Sequence, residues 1–175
     1  MKKLQRQLSR FVVTLTGMWI CFAAGCGGQL PDAVPTSGTV LYEGKPLEGA
    51  TVTFRSEAQG EMAEGVLALG TTDSQGKFTL QSRVGPTDVV DGLVPGDYRV
   101  AISKFVPPKG MSETEYEAKR AEEARIMETE GFVPPNKQAP PKVELLAPEY
   151  SDTRKTTLKA TIPKEGNESL EFDLK

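Results

Sequence analysis

Carboxylates are the only abundant side chains in this 175-residue sequence that could carry out acid–base chemistry, because it contains 24 acidic residues and no histidine. Without histidine there is no general base that titrates near neutral pH, no Ser-His or Cys-His nucleophile pair and no usual zinc site. A carboxylate pair could still hydrolyse glycans, and the candidates are Glu43, Glu48, Asp73, Asp91 and Asp97. None of these has the apolar surroundings that would mark it as catalytic. The sequence therefore predicts no enzyme, no catalytic residues, no metal and no cofactor, with a carboxylate-only glycan hydrolase as an alternative.

One thiol carries the second candidate chemistry. Residues 1–10 contain four basic residues and no acid, and the 15 residues from Phe11 to Gly25 are uncharged. A basic stretch followed by a short apolar run is typical of a secretory signal. The junction Ala23-Ala24-Gly25-Cys26 resembles the lipobox of bacterial lipoproteins. This resemblance implies cleavage between Gly25 and Cys26 and attachment of lipid to Cys26.

Two other interpretations of this junction remain open: an uncleaved N-terminal anchor helix, and an ordinary signal cleavage site without lipid. Cys21 lies in the segment to be removed, so Cys26 would be the only cysteine of the mature chain and no intrachain disulfide could form. Lipidation would also protect this lone thiol from oxidation. We therefore expect an exported lipoprotein that is anchored in a membrane through Cys26 and faces the periplasm or the cell surface.

The expected organisation is a signal peptide over residues 1–25, a flexible tether over 26–37 and one domain over 38–175. The signal peptide holds four of the 21 basic residues and none of the acids, which leaves a net charge of −7 for the rest. An acidic surface argues against nucleic acid as a partner, and the only tryptophan, Trp19, lies in the signal peptide. We expect a monomer whose partners are the membrane and an envelope protein or glycan.

Alternating apolar and polar residues predict a mainly β domain. Val40 with Tyr42, and Val52 with Phe54, fall on one face of two early strands. The segment "GVLALGTTDSQGKFTLQS" predicts a hairpin around Asp73–Gly76, because Asp can bond nearby backbone N–H groups and Gly can take a left-handed conformation. About seven such strands with turns between them describe an antiparallel, Ig-like β-sandwich.

Two later regions add strands to this sandwich. The segment "LVPGDYRVAISKF" predicts a type II turn at Pro95–Gly96, followed by an alternating strand. The tail predicts the strands "TTLKATI" and "SLEFDLK", joined by a turn over Pro163–Asn167 and paired with each other. Since the loops of a sandwich cluster at its ends, loop residues are possible contact sites, although turn geometry alone also explains them. These residues are Asp73, Gly76, Asp91 and Gly96.

One segment predicts a helix instead of a strand. Residues 111–131 begin with a capping box of Ser112 and Glu115, and they end at Gly131. Prolines flank this helical insertion, which we place at residues 106–149. Because most of its residues are charged, we expect it to be solvated and partly frayed rather than to dock a partner. Its thin apolar face would consist of Tyr116, Ala124 and Met127.

The ordered strands resemble a known domain family. The segments "GTVLYEGKPLEGATVTF", "GTTDSQGKFTL" and "LVPGDYRVAI" are similar to the first strands of carboxypeptidase regulatory-like domains, which share the transthyretin-like (prealbumin-like) β-sandwich. The tail and the proline-flanked insertion resemble bacterial lipoproteins that carry this domain. The resemblance covers most of residues 37–175. It implies a non-catalytic, membrane-anchored, extracytoplasmic module with a binding or structural role in the cell envelope.

Related sandwiches carry other activities that can be compared with these residues. Hydroxyisourate hydrolases of the transthyretin family and intradiol dioxygenases need histidines, which this sequence lacks. Collagen-binding B-type domains of surface adhesins can form a Lys–Asn or Lys–Asp isopeptide bond with the help of a buried acid. Lys45, Asn167 and Asp173 are the loosely placed candidates here. An isopeptide-stabilised, adhesin-type module is therefore the second alternative.

Overall fold

The structure is a computed structural model that describes residues 32–57, 67–84 and 88–175. The predicted signal peptide, with Gly25 and Cys26, lies outside these residues. The described ranges are mainly β, with one long helix, α1 (Glu113–Glu130), and a short one, α2 (Pro148–Ser151). Their strands are β1 (Thr36–Tyr42), β2 (Lys45–Pro46), β3 (Thr51–Ser56), β4 (Leu67–Thr71), β5 (Lys77–Thr79), β6 (Gln81–Val84), β7 (Asp88–Asp91), β8 (Gly96–Ser103), β9 (Phe105–Val106), β10 (Val143–Glu144), β11 (Lys159–Ile162) and β12 (Asn167–Leu174).

Two principal sheets make up the domain. In the first sheet, β12 lies parallel to β1, and both β2 and β5 pair with β1 in the antiparallel sense. The second sheet has the order β11-β8-β3-β4-β6-β7, and all its pairs are antiparallel. A separate β9–β10 pair closes the base of the segment that contains α1. The prediction of a mainly β sandwich with one helical insertion is confirmed.

The core lies between these two sheets. Val52 and Phe54 of β3 are fully buried, as their alternation with polar neighbours predicts. The ring centroid of Phe54 lies 6.5 Å from Phe78, 6.0 Å from Tyr98 and 6.3 Å from Phe172. Phe78 and Phe172 belong to the first sheet, whereas Phe54 and Tyr98 belong to the second. This aromatic cluster therefore holds the two sheets together.

The turn at Asp73–Gly76 forms as predicted, but it does not join a hairpin. Asp73 Oδ1 accepts hydrogen bonds from the N–H groups of Gln75 and Lys77, at 2.8 and 2.9 Å, and Gly76 has a φ of 73°. However, β4 before the turn pairs with β3 and β6, whereas β5 after it pairs with β1. The hairpin prediction is wrong, because turn residues determine a local bend and not the partner of the next strand.

The two tail strands also lie in different sheets. β11 pairs with β8 at the edge of the second sheet, whereas β12 pairs with β1 in the first. The turn between them is present, since the N–H of Gly166 donates to the carbonyl of Pro163 at 3.1 Å. The predicted pairing of the tail strands with each other is therefore wrong. In its place, β1 and β12 form a parallel pair, whereas the other strand pairs among the described residues are antiparallel.

The predicted type II turn at Pro95–Gly96 does not form. Gly96 has a φ of 156° and is the first residue of β8, whereas a type II turn needs a φ of about +80° at that position. The start of β8 is held differently, because the hydroxyl of the buried Tyr98 donates to the carbonyl of Val94 at 2.7 Å. Burial raises the pKa of Tyr98 above its ordinary value, since the charged phenolate is poorly solvated there.

A buried hydroxyl ties together two places where the chain changes sheets. Thr72, which follows β4, donates its hydroxyl to the carbonyl of Leu47 and accepts the N–H of Ala50 at 2.8 Å. Leu47 follows β2 of the first sheet, and Ala50 precedes β3 of the second. The crossing from β2 to β3 and the crossing from β4 to β5 are therefore joined by one side chain.

Helix α1 has the predicted ends. The hydroxyl of Ser112 accepts the N–H of Glu115 at 3.2 Å, and the Glu115 carboxylate accepts the N–H of Ser112 at 2.8 Å. Gly131 follows the helix with a φ of 70° and donates its N–H to the carbonyl of Met127 at 3.0 Å. No helix among the described residues is long and apolar enough to cross a membrane.

The apolar face of α1 differs from the predicted one. Tyr116 is buried as expected, but Ala124 and Met127 are exposed, and Ile126 is buried in place of Met127. Successive helical residues point about 100° apart. The prediction took Met127 instead of its neighbour Ile126, and it therefore placed the apolar face about 100° away from its true direction. The ammonium of Lys142, in the returning segment, lies 4.7 Å from the Tyr116 ring centroid and holds the start of α1 against that segment.

Candidate functional site

A groove with a basic lining lies on the outer face of the second sheet. It has a volume of about 590 Å³. Four of the seven lining residues are basic and one is acidic, although the chain after residue 25 is acidic overall. A concave surface of one sign concentrates ligands of the opposite sign. The lining residues, named here the basic groove, are Arg55, Ser56, Glu57, Arg99, Thr153, Arg154 and Lys159.

Strand register brings three of these cations side by side. Arg55 of β3 lies opposite Arg99 of β8, and Arg99 lies opposite Lys159 of β11. All three are exposed and alternate with inward residues such as the buried Phe54 and Tyr98. Directly opposite residues of antiparallel strands project from the same face about 5 Å apart. Since like charges so placed repel each other, the row is a costly arrangement that needs a counter-charge.

Glu57 supplies part of that counter-charge. Its carboxylate lies 3.0 Å from Arg99 Nε and 3.1 Å from Lys159 Nζ. Hydrogen bonds from Lys159 and then from Arg99 lower the pKa of Glu57 below its usual range. The carboxylate therefore remains ionised at mildly acidic pH, and it neutralises one end of the row. Arg55, at the other end, makes no salt bridge or side-chain hydrogen bond within the described residues.

The segment after α2 supplies Thr153 and Arg154. Asp152 Oδ1 accepts the backbone N–H of Arg154 at 2.8 Å and lies 3.7 Å from its Nε. The backbone hydrogen bond, with the nearby charges of Arg154 and Lys155, lowers the pKa of Asp152. The buried Thr156 then donates its hydroxyl to the carbonyl of Val100 at 2.6 Å. This segment is therefore fastened to β8, and it holds Arg154 beside the sheet.

A second cavity of about 840 Å³ adjoins the basic groove and shares Arg55, Thr153 and Arg154 with it. One of its two acidic residues, Glu144, is already occupied, because its carboxylate accepts the Ser103 hydroxyl and the N–H groups of Lys104 and Leu146. A ligand in the groove could extend into this cavity past Arg154. The remaining lining residues are Leu146, Pro148, Ser151, Asp152 and Lys155.

The contact residues predicted from the sequence do not line this groove, and they lie at separate places. An added Cβ on Gly76 would lie 2.5 Å from the Val40 carbonyl oxygen, and Leu93, beside Asp91, bridges to Val34. Val34 and Val40 are six residues apart along an extended segment, which corresponds to about 20 Å. Asp73 caps its turn, Asp91 accepts the Gln81 amide at 2.9 Å, and Gly96 is part of β8. The structure therefore does not bring these four residues together.

The carboxylates considered for glycan hydrolysis are all exposed. Asp97 accepts the Thr161 hydroxyl at 2.7 Å. Asp73 lines a third cavity, of about 720 Å³, together with Lys77 and strand residues of β1, β5 and β12. Solvated carboxylates of this kind lack the surroundings that tune a catalytic acid. No group of three or more Cys, Asp or Glu residues in the described ranges is placed to hold a metal ion.

The candidates for an isopeptide bond are also separated. Lys45 of β2 and Asp173 of β12 are exposed and lie on opposite sides of β1, which places two strand spacings, or about 10 Å, between their backbones. Asn167 lies opposite Thr36, at the other end of β1. The buried polar residues within the described ranges are Thr36, Thr72, Ser82 and Thr156, none of which is an acid. This geometry gives no support to such a bond.

The basic groove is the candidate site that sequence reasoning missed. The sequence shows three ordinary solvated positions on separate strands, namely Arg55, Arg99 and Lys159. They are up to about a hundred residues apart along the chain. Only the register β11-β8-β3 places them in one row. A usable signal is nevertheless present, because in each strand the basic residue occupies an outward position next to inward apolar residues.

Comparisons with known proteins give only a distant structural likeness. No protein-family model and no curated protein matches the sequence. A crystal structure of (S)-allantoin synthase matches with a TM-score of 0.36 and 14% identity. The match covers 83% of this chain and 42% of that chain, so the chain spans less than half the length of that protein. A likeness this weak carries no argument about family or function.

Proposed function

We propose that this protein is a non-catalytic binding module, anchored outside the cytoplasm by a lipid on Cys26, whose basic groove binds a ligand that bears carboxylate or phosphate groups. The observation that carries the ligand proposal is the convergence of Arg55, Arg99, Arg154 and Lys159 from three strands and one fastened loop. Guanidinium groups bind carboxylate and phosphate through paired N–H donors, which makes arginine the usual residue for recognising them.

Ion pairs inside the groove hold three of its four cations in place and leave the fourth available to an anion. Glu57 and Asp152 hold Arg99, Lys159 and Arg154 by hydrogen bonds and salt bridges. Arg55 has no such partner among the described residues and is exposed. An incoming anion would bind the unpaired Arg55 without first breaking a salt bridge. The neighbouring cations would then strengthen the interaction, because they are already oriented.

The anchoring part of the proposal rests on the sequence. The basic and then apolar N-terminal segment, with the junction Ala24-Gly25-Cys26, supports export followed by lipidation. Several acyl chains on one cysteine bind a membrane durably, whereas a single chain binds marginally. Anchoring would restrict the groove to ligands at or near that membrane.

Ligand binding is tested by titrating the full chain in detergent with inorganic phosphate and with D-galacturonate at low ionic strength, while the Arg side-chain resonances are followed by NMR. Arg55→Gln should weaken binding by about two- to fivefold, the range expected for one exposed ion pair. The matched control is Arg125→Gln on α1, which removes the same charge from a residue paired with Glu122. Equal affinities for wild type and Arg55→Gln, or equal weakening by both variants, would count against the groove as the binding site.

Anchoring is tested with Cys26→Ala in cells. The variant should be found in the soluble extracellular or periplasmic fraction, and the wild type in the membrane fraction. The mass of the wild-type N-terminal peptide should also include acyl chains. Membrane retention of the variant would instead support an uncleaved N-terminal helix, and it would exclude lipid as the anchor.

A further inference from the structure

The basic groove is one end of a longer row of outward residues that crosses the second sheet. Arg55 lies opposite Leu67 of β4 as well as Arg99 of β8, and Leu67 lies opposite Arg83 of β6. The row therefore reads Lys159, Arg99, Arg55, Leu67 and Arg83 over five neighbouring strands. Four of its five members are cations, and all five are exposed.

The spacing of this row is set by the backbone. Neighbouring strands lie about 4.8 Å apart, so the row from β11 to β6 extends about 19 Å across the strands. The first three residues of the row are cations on neighbouring strands. Leu67 occupies the fourth strand, and the fourth cation, Arg83, lies on the fifth. Arg83, like Arg55, makes no salt bridge or side-chain hydrogen bond within the described ranges. A compact anion would reach the basic groove alone, whereas an extended one could contact Arg83 as well.

The acidic residue of the groove narrows the chemistry of the ligand. Glu57 lies between Arg99 and Lys159 and is ionised, because both cations donate hydrogen bonds to it. A ligand with nothing but anionic groups would be repelled at this point. A chain in which carboxylates alternate with hydroxyl groups fits better, because a hydroxyl can donate to Glu57 while the carboxylates bind the arginines.

The lining of the groove also favours a polysaccharide over other polymers as the ligand. Its seven residues include no aromatic ring, whereas proteins that bind single-stranded nucleic acid usually stack bases on aromatic side chains. They also include no large apolar side chain, although protein partners are usually held by aromatic or apolar anchors in a desolvated pocket. The groove is polar, charged and open, which suits a flexible, hydroxyl-rich chain, and Leu67 is the single apolar member of the row beyond it.

We propose that the basic groove and Arg83 together bind a linear acidic polysaccharide that lies across strands β11, β8, β3, β4 and β6. This inference rests on the proposed function, because it identifies the anionic ligand of the same groove. The polymer would contact Lys159, Arg99 and Arg55 with successive acidic sugars, pass over Leu67 and reach Arg83. Binding along the row adds contacts within one ligand, so affinity should rise with chain length.

The experiment compares D-galacturonate with its octamer by calorimetry on the full chain in detergent at low ionic strength. The octamer should bind at least about tenfold more tightly than the monomer, since several weak contacts are made within one complex. Arg83→Gln should weaken the octamer by about two- to fivefold and leave the monomer unchanged. Arg55→Gln should weaken both ligands. Arg125→Gln, on α1, is the matched control and should weaken neither.

The outcomes separate the two proposals. If monomer and octamer bind equally and Arg83→Gln has no effect, the polymer inference is wrong and the groove remains a site for small anions. If neither ligand binds, the polymer inference is wrong, and if inorganic phosphate does not bind either, the proposed function is wrong as well. If polyphosphate or single-stranded nucleic acid of the same charge binds as tightly as the octamer and responds equally to Arg83→Gln, the row recognises charge alone, and the assignment to a polysaccharide is overturned. Binding of a fully methyl-esterified octamer as tight as that of the acid would also contradict it.

Discussion

The Thr72 hydroxyl should contribute more to stability than its size suggests. Thr72 is 3% exposed, and its Oγ1 bonds both the Leu47 carbonyl and the Ala50 N–H. Thr72→Val keeps the shape but leaves one buried acceptor and one buried donor unpaired. Each unpaired buried group costs about 1–3 kcal/mol, so we expect the two together to cost about 2–6 kcal/mol. With a urea slope of about 2 kcal/mol per M, the middle of the usual range, the midpoint should fall by about 1–3 M.

The matched control for this experiment is Thr72→Ser. Serine keeps the hydroxyl and removes one methyl group, which should cost about 1 kcal/mol. Both variants should unfold with the slope of the wild type, since neither changes the area exposed on unfolding. A midpoint for Thr72→Val that lies within error of the wild type, or a serine variant as unstable as the valine variant, would refute the view that hydrogen bonds hold the two crossings together.

Three further predictions concern other parts of the fold. Tyr98→Phe should lower the free energy of unfolding by about 1 kcal/mol, because the hydrogen bond to Val94 is lost. Since burial raises the pKa of Tyr98 in the folded state, the wild type should also lose stability as pH rises above about 10. An identical loss of stability at alkaline pH in the phenylalanine variant would contradict this. Ser112→Ala should speed amide exchange in the first turn of α1, with a local cost of about 1 kcal/mol, and unchanged exchange there would mean that the capping box is not stabilising. Gly38→Ala would place a Cβ 2.7 Å from the Leu170 Cβ, so it should cost about 1–3 kcal/mol in urea unfolding; a wild-type midpoint would show that β1 and β12 can move apart freely.

Local chemistry made the elements of this fold predictable. The alternation in β1, β3 and β8 indicated which side chains face inward, and the buried Val52 and Phe54 agree with it. The capping box at Ser112 and the left-handed Gly131 were recognisable because helix ends need specific side chains and backbone angles. The turn at Asp73 was recognisable for a similar reason. These signals involve residues within a few positions of each other, so the sequence displays them directly.

Strand partners were not predictable in the same way. Alternation determines the face of a strand but not its neighbour, so β5 and β12 were assigned to hairpins that do not exist. Two adjacent strands can pair locally or cross to the opposite sheet, and the choice depends on packing between sheets. The basic row was hidden for the same reason, since Arg55, Arg99 and Lys159 become neighbours only after the order of the second sheet is known. The lipid anchor at Cys26 stays a prediction from the sequence.

The parallel pairing of β1 with β12 determines when the fold can be completed in a chain that emerges N-terminus first. The hydroxyl of Ser37 donates to the carbonyl of Glu168, 131 positions later, and Phe172 and Leu174 complete the interior. β1 therefore stays unpaired along one edge until the residues of β12 have left the ribosome or a translocation pore. During that interval the unfinished chain can still be threaded through a narrow channel, and it is also open to proteases and to aggregation. β12 thus completes the core, and a chain that is halted before Phe172 cannot close it.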